Sequence, residues 1–347
     1  MPARNGHRFV AQVRAVVLST FPAVAQAVGL DPFAMLREAG IDPRALADPE
    51  ARIPASAVGA LIDAAARRSG CETFGLQMAE QRSFASLGPL SLLLRHESDF
   101  RAVLRRLIQF RRLIGDVVDY DLVESGDEAR IVVLVTPEVA TRQCVELTMG
   151  LTCRFLGGAM FGGWHPSEAC FRYPPPADTN VHQRLFRTRL RFDAPMNGFL
   201  VPADSLDRAN AYADPELSRH ALKFVELLAG ELPAQTLAEQ VRAAIAALLG
   251  TGTVTLAKVA RQLDMHPRAL QRRLAGEGLT FGGLVDSIRE TLARELLANT
   301  DLPVGEVGLL LGYSSQAAFS RWFTGSAGVA PKKWRAQSRA AGDGSLG

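Results

Sequence analysis

Cysteine is scarce in this chain. Cys71, Cys144, Cys153 and Cys170 are spread over 347 residues, with no C-x-x-C spacing and no histidine pair beside them. That excludes a disulfide scaffold, and the four read as buried apolar residues in a reducing compartment. His165 and His182 stand at no metal-ligand spacing with Cys170, so neither a metal nor another cofactor is expected. Catalytic signatures are also missing. No G-x-S-x-G elbow and no H-E-x-x-H occurs, and no catalytic residue is assigned. The glycine clusters Leu156-Gly157-Gly158 and Phe161-Gly162-Gly163-Trp164 contain neither G-x-x-x-x-G-K-[ST] nor G-x-G-x-x-G, which points to close packing and a turn instead of phosphate binding. No run reaches the roughly 18 apolar residues a membrane span requires. An uncharged run does extend from Ala15 to Leu30, after Arg8 and Arg14, and Ala25-Gln26-Ala27 resembles a cleavage site. Ser19, Thr20, Pro22 and Gln26 interrupt it. Val13, Val16, Val17, Phe21 and Val24 recur every three to four residues, which predicts an amphipathic helix and a cytoplasmic chain.

Strong charge of one sign is absent as well, since the net charge is only +3. Its placement is more telling. Residues 251 to 347 carry 12 Lys and Arg against 8 Asp and Glu, whereas the preceding 250 carry 27 against 28. One part of the chain is thus suited to meeting a polyanion and the other is not. The length favours two domains, and 48% hydrophobic with 22% charged residues is ordinary for globular proteins.

Residues 1 to 205 predict an α+β domain. Asp31-Pro32, Gly40-Ile41-Asp42-Pro43, Pro54 and Gly70 punctuate short helices. Phe100 to Gly115 predicts an amphipathic helix with Val103, Leu104, Leu107, Ile108 and Leu113 inward. Its arginines, Arg101, Arg105, Arg106, Arg111 and Arg112, suit either an anionic effector or, more commonly on such a face, ion pairs with neighbouring carboxylates. Between Asp116 and Pro137 the period falls to two, with Val118, Tyr120 and Leu122, then Ile131, Val133 and Val135, flanking Glu124-Ser125-Gly126-Asp127: a hairpin. A helix follows from Glu138 to about Phe161. Short strands over Ala169 to Tyr173, Leu190 to Phe192 and Gly198 to Val201 surround a helix near Asn180 to Phe186. Residues 206 to 235, with Asp214-Pro215 and a helix to about Leu232, read as a helical connection. Strand signals then end, and residues 236 to 340 predict an all-α domain, leaving 341 to 347 as a flexible tail.

That second domain contains two helix-turn-helix units. Thr255 is a suitable N-cap, with Leu256, Val259, Ala260 and Leu263 on one face. Asp264-Met265-His266 makes a turn, Pro267 sits at a first helical position, and Leu270 and Leu274 continue the core face to Gly278. The outward face carries Arg268, Gln271, Arg272 and Arg273. Arg and Gln make paired hydrogen bonds to guanine and adenine edges in the major groove. Arg273, rotated by about 100° from Arg272, is better placed for phosphate. The pattern recurs: Leu302-Pro303 opens a helix with Val304, Val307, Leu310 and Leu311 inward, Gly312 ends it, and Ser314 or Ser315 caps a helix through Phe319 and Phe323. Gln316, Ala317, Ser320 and Arg321 lie on its exposed face. Between the units, a helix of about 17 residues capped by Thr280 and ending at Asn299 would be about 25 Å long. Such a spacer suits two recognition helices near the roughly 34 Å repeat of the major groove.

Leu270-Gln271-Arg272-Arg273-Leu274, Gly278-Leu279-Thr280-Phe281, Leu311-Gly312-Tyr313-Ser314-Ser315-Gln316, Phe319-Ser320-Arg321-Trp322-Phe323 and Gly328-Val329-Ala330-Pro331 with Trp334-Arg335 resemble the DNA-binding domain of AraC-family transcriptional regulators. Phe74-Gly75-Leu76, Leu107 to Leu113 and Phe199 to Leu206 resemble the effector-binding domain of the ornithine and virulence regulators of that family. The resemblance implies base reading by Arg268, Gln271, Arg272, Gln316, Ala317 and Arg321. Phosphate contact falls to Arg273, Ser315, Ser320, Lys332 and Lys333. Three residues depart from the family's pattern: His266 stands where Ser usually caps, Gly308 where alanine is usual, and Trp322 where a small residue is usual. Gly308 costs about 1 kcal/mol relative to alanine in a helix, so the second unit is expected to be the less ordered reader.

The expected partners are double-stranded operator DNA and a small-molecule effector, whose binding residues the sequence does not identify. The family resemblance adds a homodimer and RNA polymerase, and no membrane. The alternative is a small-molecule-binding or enzymatic domain carrying a helical protein-interaction tail.

Overall fold

The structure is a computed structural model and describes residues 11–136, 139–160, 164–231, 236–249, 254–263, 265–299 and 303–343. Arg8, Pro137, Glu138, the segment Phe161-Gly162-Gly163, Leu232, Asp264, Leu302 and residues 344–347, all used in the reading above, lie outside that set. The chain forms two compact units, Met1–Pro233 and Ala234–Gly347.

In the first unit, β1 (Gln12–Arg14) pairs antiparallel with β2 (Arg52–Pro54). The single helix expected after Arg14 is replaced by a 3-10 turn at Ala15–Leu18 and a short α1 (Phe21–Ala27). Pro22 fixes the entry to α1, and the Thr20 hydroxyl donates to the Met78 carbonyl at 3.1 Å, pinning the break. Leu18, Phe21, Val24 and Ala25 are fully buried. Asp31 caps α2 (Pro32–Glu38), accepting from the Phe33 and Ala34 amides. Helices α3 (Ala55–Ser69), α4 (Phe74–Glu80), α5 (Pro89–His96) and α6 (Phe100–Gln109) follow. The last is shorter than its sequence period suggests, because the chain tightens into a 3-10 turn at Arg111–Leu113 and brings Gly115 beside Val13.

The hairpin forms as expected. β3 (Val118–Ser125) and β4 (Glu128–Val135) pair Val118 with Val135, Tyr120 with Val133 and Leu122 with Ile131, turning at Gly126 with φ +61°. With β5 (Glu168–Cys170), β6 (Arg189–Arg191) and β7 (Gly198–Pro202) they form a sheet ordered β3-β4-β7-β5-β6, antiparallel except for the β5–β6 pair. α7 (Arg142–Arg154) begins where Thr141 accepts from the Cys144 amide, and its helix tightness then relaxes into a π turn at Phe155–Met160. α8 (Asn180–Phe186) lies where predicted.

α7 is the central post of this unit. Cys144, Val145, Leu147, Met149 and Cys153 are buried on several of its sides. Gly75 permits α4 to touch it: a Cβ there would lie 2.1 Å from the Gln143 carbonyl oxygen, and the Gly75 amide donates to Gln143 Oε1 at 2.8 Å. Gly157 packs similarly, its absent Cβ falling 2.4 Å from the Trp164 carbonyl oxygen. The four cysteines are free, and all but Cys71 are buried. The segment expected to be a connection is part of this unit. α9 (Pro215–Glu231) packs on α5 and contributes Ala221 and Val225 to the same core. Apolar residues on its inner face explain the difference, because they are buried more favourably than left in a linker.

Among the described residues of the second unit there are helices and no strands. α10 (Leu237–Leu249) starts with a reciprocal cap, Thr236 Oγ1 accepting from the Glu239 amide and Glu239 Oε2 from the Thr236 amide. It packs with α11 (Leu256–Gln262), α12 (Pro267–Gly276) and the first half of α13 (Phe281–Asn299) around Val241, Ile245, Val259, Leu270, Leu274 and Leu284. The second half of α13 joins α14 (Val304–Leu310), α15 (Gln316–Ala327) and α16 (Pro331–Asp343) around Leu297, Val307, Leu311, Phe319 and Phe323. Residues 341–343, expected in a tail, continue α16. α13 has 19 residues and is therefore about 28 Å long.

Candidate nucleic-acid interface and effector cavity

The first helix-turn-helix is α11 and α12. Thr255 Oγ1 accepts from the Lys258 amide at 3.2 Å, capping α11. At the start of α12 the imidazole of His266 does the work of a serine: Nδ1 accepts from the Arg268 amide at 3.3 Å, with Pro267 at the first helical position. Leu270 and Leu274 are fully buried, which fixes the rotation of α12 and turns Arg268, Gln271, Arg272 and Arg273 to solvent. None of those three arginines has a carboxylate within 4.0 Å among the described residues.

The second unit is α14 and α15. Ser315, and not Ser314, is the cap, its hydroxyl oxygen accepting from the Ala318 amide at 3.2 Å. Phe319 and Phe323 are fully buried, leaving Gln316, Ala317 and Arg321 exposed and Ser320 half-buried. Gln316 rests against Gly305 at the start of α14. Lys332 and Lys333 are exposed in the first turn of α16 and have no ion-pair partner among the described residues.

The structure reverses the expectation that Gly308 weakens this unit. A Cβ at position 308 would sit 2.8 Å from Phe319 Cβ, so glycine is what lets α14 and α15 close on the large phenylalanine. Trp322 is likewise absorbed, stacking on Tyr313 with ring centroids 5.2 Å apart. Arg289 lies over the other ring of that pair, 5.1 Å from the Tyr313 centroid, and Arg294 lies 4.5 Å from that of Trp334. Both arginines of α13 are thereby committed to packing.

The first unit encloses a cavity of about 110 Å³ that no sequence pattern announced. Aliphatic side chains from β1, the Ala15–Leu18 turn, α3, β3 and α7 line it, including Val17, Ile62, Val118 and Leu151. Tyr120 and Thr152 share a 3.1 Å hydrogen bond at its wall. Burial pushes the Tyr120 hydroxyl up to about 12 and the Cys144 thiol up to about 11, so both stay neutral at physiological pH. Arg14 and Arg82 also reach the wall, and both are buried. A separate polar cluster lies at Glu146, which is fully buried. One of its oxygens accepts from Arg142 Nε at 3.0 Å and from the Tyr173 hydroxyl at 2.9 Å, with His182 Nε2 3.2 Å away. Burial first, and the Glu146 charge second, raise the Tyr173 pKa. The cluster ties α7 to α8 and the strand region between them.

The arginines of α6 and of the turn after it mostly take the ion-pair alternative. Arg101 pairs with Glu124 and Asp207, Arg106 with Glu97 and Arg111 with Asp119, while Arg112 lies 3.9 Å from Asp116 and Arg105 is exposed with no ion pair among the described residues.

Comparison with known proteins fits this division. Residues 29–210 match the family described as the arabinose-binding domain of AraC transcription regulators, N-terminal, and residues 259–337 match a helix-turn-helix domain family. The chain belongs to the AraC family of transcriptional regulators. It is similar to the transcriptional regulator VirS of Mycobacterium tuberculosis, 29% identical over 95% of this chain and 98% of that one. It is also similar to the ornithine utilization regulator of Pseudomonas aeruginosa, 25% identical over 88% of this chain and 91% of that one. Among solved structures, the regulator CdpR of Pseudomonas aeruginosa aligns over 87% of this chain and 95% of its own, with 20% identity and a TM-score of 0.40. This AraC-family protein thus joins an N-terminal domain of the effector-binding class to a C-terminal helix-turn-helix region. Among the described residues no helix is long and apolar enough to cross a membrane.

Proposed function

We propose that the protein is a sequence-specific regulator in which α12 and α15 read two successive major-groove segments. A small molecule in the first unit shifts the population competent to bind DNA. The observation that supports this most is that Arg268, Arg272 and Arg273 are exposed and have no ion-pair partner among the described residues, on a helix held in place by buried Leu270 and Leu274. Arg268, Gln271 and Arg272 are the base readers of the first helix; Gln316, Ala317 and Arg321 are those of the second. Ala317 offers a methyl contact to thymine. Arg273, Ser315, Ser320, Lys332 and Lys333 meet phosphate. A homodimer and contact with RNA polymerase, in the cytoplasm, belong to the same reading.

The test begins by selecting bound sequences from random duplex DNA and titrating variants on the best site and on one-base changes of it. Arg272→Ala is expected to cost about 1 to 3 kcal/mol on the selected site and to relax preference at one base pair. Lys332→Ala and Lys333→Ala are expected to weaken all sequences alike and to lower the salt slope by about one. Equal losses for Arg272→Ala on every DNA would remove it from the readers. Binding to duplex DNA without steep salt dependence would favour a protein-interaction tail instead.

A further inference from the structure

The cavity of the first unit is lined mainly by aliphatic side chains, with the hydroxyls of Tyr120, Thr148 and Thr152 in its wall, and two cations, Arg14 and Arg82, also reach it. Arg14 and Arg82 are 4% and 6% exposed. Arg14 is satisfied: Nε donates to Glu50 Oε2 at 2.8 Å, Nη2 pairs with the other Glu50 oxygen, and Nη1 donates to the Ser86 carbonyl at 3.1 Å. Arg82 is not. Its Nε donates to the Ser86 hydroxyl at 3.1 Å and its Nη1 to the Val17 carbonyl at 3.3 Å, and it has no carboxylate partner among the described residues. Burial, and then the neighbouring Arg14 charge, lower Arg82 to about 10, which still leaves it cationic near neutrality. A buried cation without a counter-ion is strongly unfavourable, and a neutral side chain could make the same two hydrogen bonds at less cost. The charge fits a site completed by an anion.

We propose that the cavity binds a small apolar carboxylate, its hydrocarbon body among Val17, Ile62, Val118 and Leu151 and its carboxylate on the guanidinium of Arg82. The planar fork of arginine matches a carboxylate through paired donors. The volume of about 110 Å³ sets the size of the body. A cavity of about 150 Å³ holds benzene, so the hydrocarbon body here is at most one ring in size, that of a short branched aliphatic acid or of a single-ring acid at the upper limit. Sugars and free amino acids are disfavoured, since the Tyr120 and Thr152 hydroxyls of the wall already bond each other and the aliphatic remainder offers no partner for further hydroxyl or ammonium groups. The inference rests on the reading of this unit as the effector-binding part.

The experiment uses the full chain without DNA. Benzoate, cyclohexanecarboxylate and 4-methylpentanoate are titrated by calorimetry and thermal shift beside benzamide, cyclohexanecarboxamide and 4-methylpentanamide, with acetate as the small-anion control. At least one acid is expected to bind about tenfold or more tightly than its amide and to raise Tm, while acetate does neither. In Arg82→Gln that preference for acid over amide is expected to vanish. Should Arg82→Gln fail to fold, Leu151→Phe fills the cavity and is expected to abolish binding of acid and amide together. Equal binding of acid and amide to the unmodified chain, or no binding of any acid up to about 10 mM, overturns the proposal. Because the readout needs no DNA, failure of base reading by Arg272 leaves this result untouched, and the two proposals fail separately.

Discussion

The arginines of α6 and of α12 are the same side chain at similar helical spacing, yet they do opposite things. Arg101 and Arg106 on α6, and Arg111 and Arg112 in the turn that follows it, each have a carboxylate within 4.0 Å, and only Arg105 on α6 is exposed without one among the described residues. On α12 Arg268, Arg272 and Arg273 are exposed and face none among the described residues. A basic helix in sequence therefore carries two meanings, and the nearby supply of acids decides between them. Around α6 the charge is mostly spent on neighbouring carboxylates; on α12 it is left outward, where a phosphate backbone or a base edge can take it.

The comparison is broken most severely by stranding an internal charge. Glu146→Ala would leave Arg142 on α7 without its carboxylate and remove the acceptor of the Tyr173 hydroxyl. Losing one partner of a buried pair costs about 3 to 5 kcal/mol. Chemical denaturation followed by circular dichroism should show that loss in the transition of the first unit, with the second unit's transition unmoved. A shift below about 1 kcal/mol would mean that the cluster is replaceable packing.

Gly308→Ala comes next, and its sign is the informative part. Helix propensity alone predicts a gain of about 1 kcal/mol. The 2.8 Å approach of the new Cβ to Phe319 predicts a loss of about 1 to 3 kcal/mol by overpacking. We expect the loss to win, because Phe319 is fully buried and cannot swing away. Denaturation of the Gly308→Ala variant decides the sign, and a gain in stability would show that α14 and α15 part at this contact without cost.

These two positions also show what a sequence can and cannot say. The β3–β4 hairpin and the two helix-turn-helix units were legible because their signals are local: alternation around Gly126, and caps and apolar spacings around Thr255 and Ser315. Leu270 and Leu274 announced which way α12 faces for the same reason. What the sequence hid depends on residues far apart in the chain. Gly308 looks like a weak point until Phe319 is seen against it. Arg14, Arg82 and the walls from α3, β3 and α7 become a cavity only when folded. The α9 segment, which read as a connection, and the break before Phe21 were likewise decided by partners elsewhere, Ala221 and Val225 joining the first core and Thr20 bonding to Met78.

A paired substitution sharpens the contrast between the helices. Arg272→Ala is expected to cost about 1 to 3 kcal/mol in binding to a selected DNA site while leaving stability within about 0.5 kcal/mol. Arg101→Ala should do the reverse, costing about 0.2 to 1 kcal/mol of stability, the range for ion pairs open to solvent, with no change in DNA affinity. Electrophoretic mobility shifts and denaturation of both variants separate the two uses of arginine. Loss of DNA affinity in Arg101→Ala would break the division drawn here.

The smallest effect concerns the entrance to α12. The cap is made by an aromatic ring nitrogen, with a 3.3 Å bond from the Arg268 amide that lies at the long end of the hydrogen-bond range. A serine at the same place accepts at shorter reach and is among the preferred caps, so His266→Ser should stabilise the second unit by about 0.5 kcal/mol. The cost would be to recognition. His266 is exposed one residue ahead of Pro267 and two ahead of Arg268, the first of the proposed base readers, and its Nε2 is not used by the cap. If the ring serves only as a cap, His266→Ser gains stability and leaves DNA affinity alone. If affinity for the selected site falls while stability rises, the ring also touches DNA, and the first recognition surface begins at the cap itself.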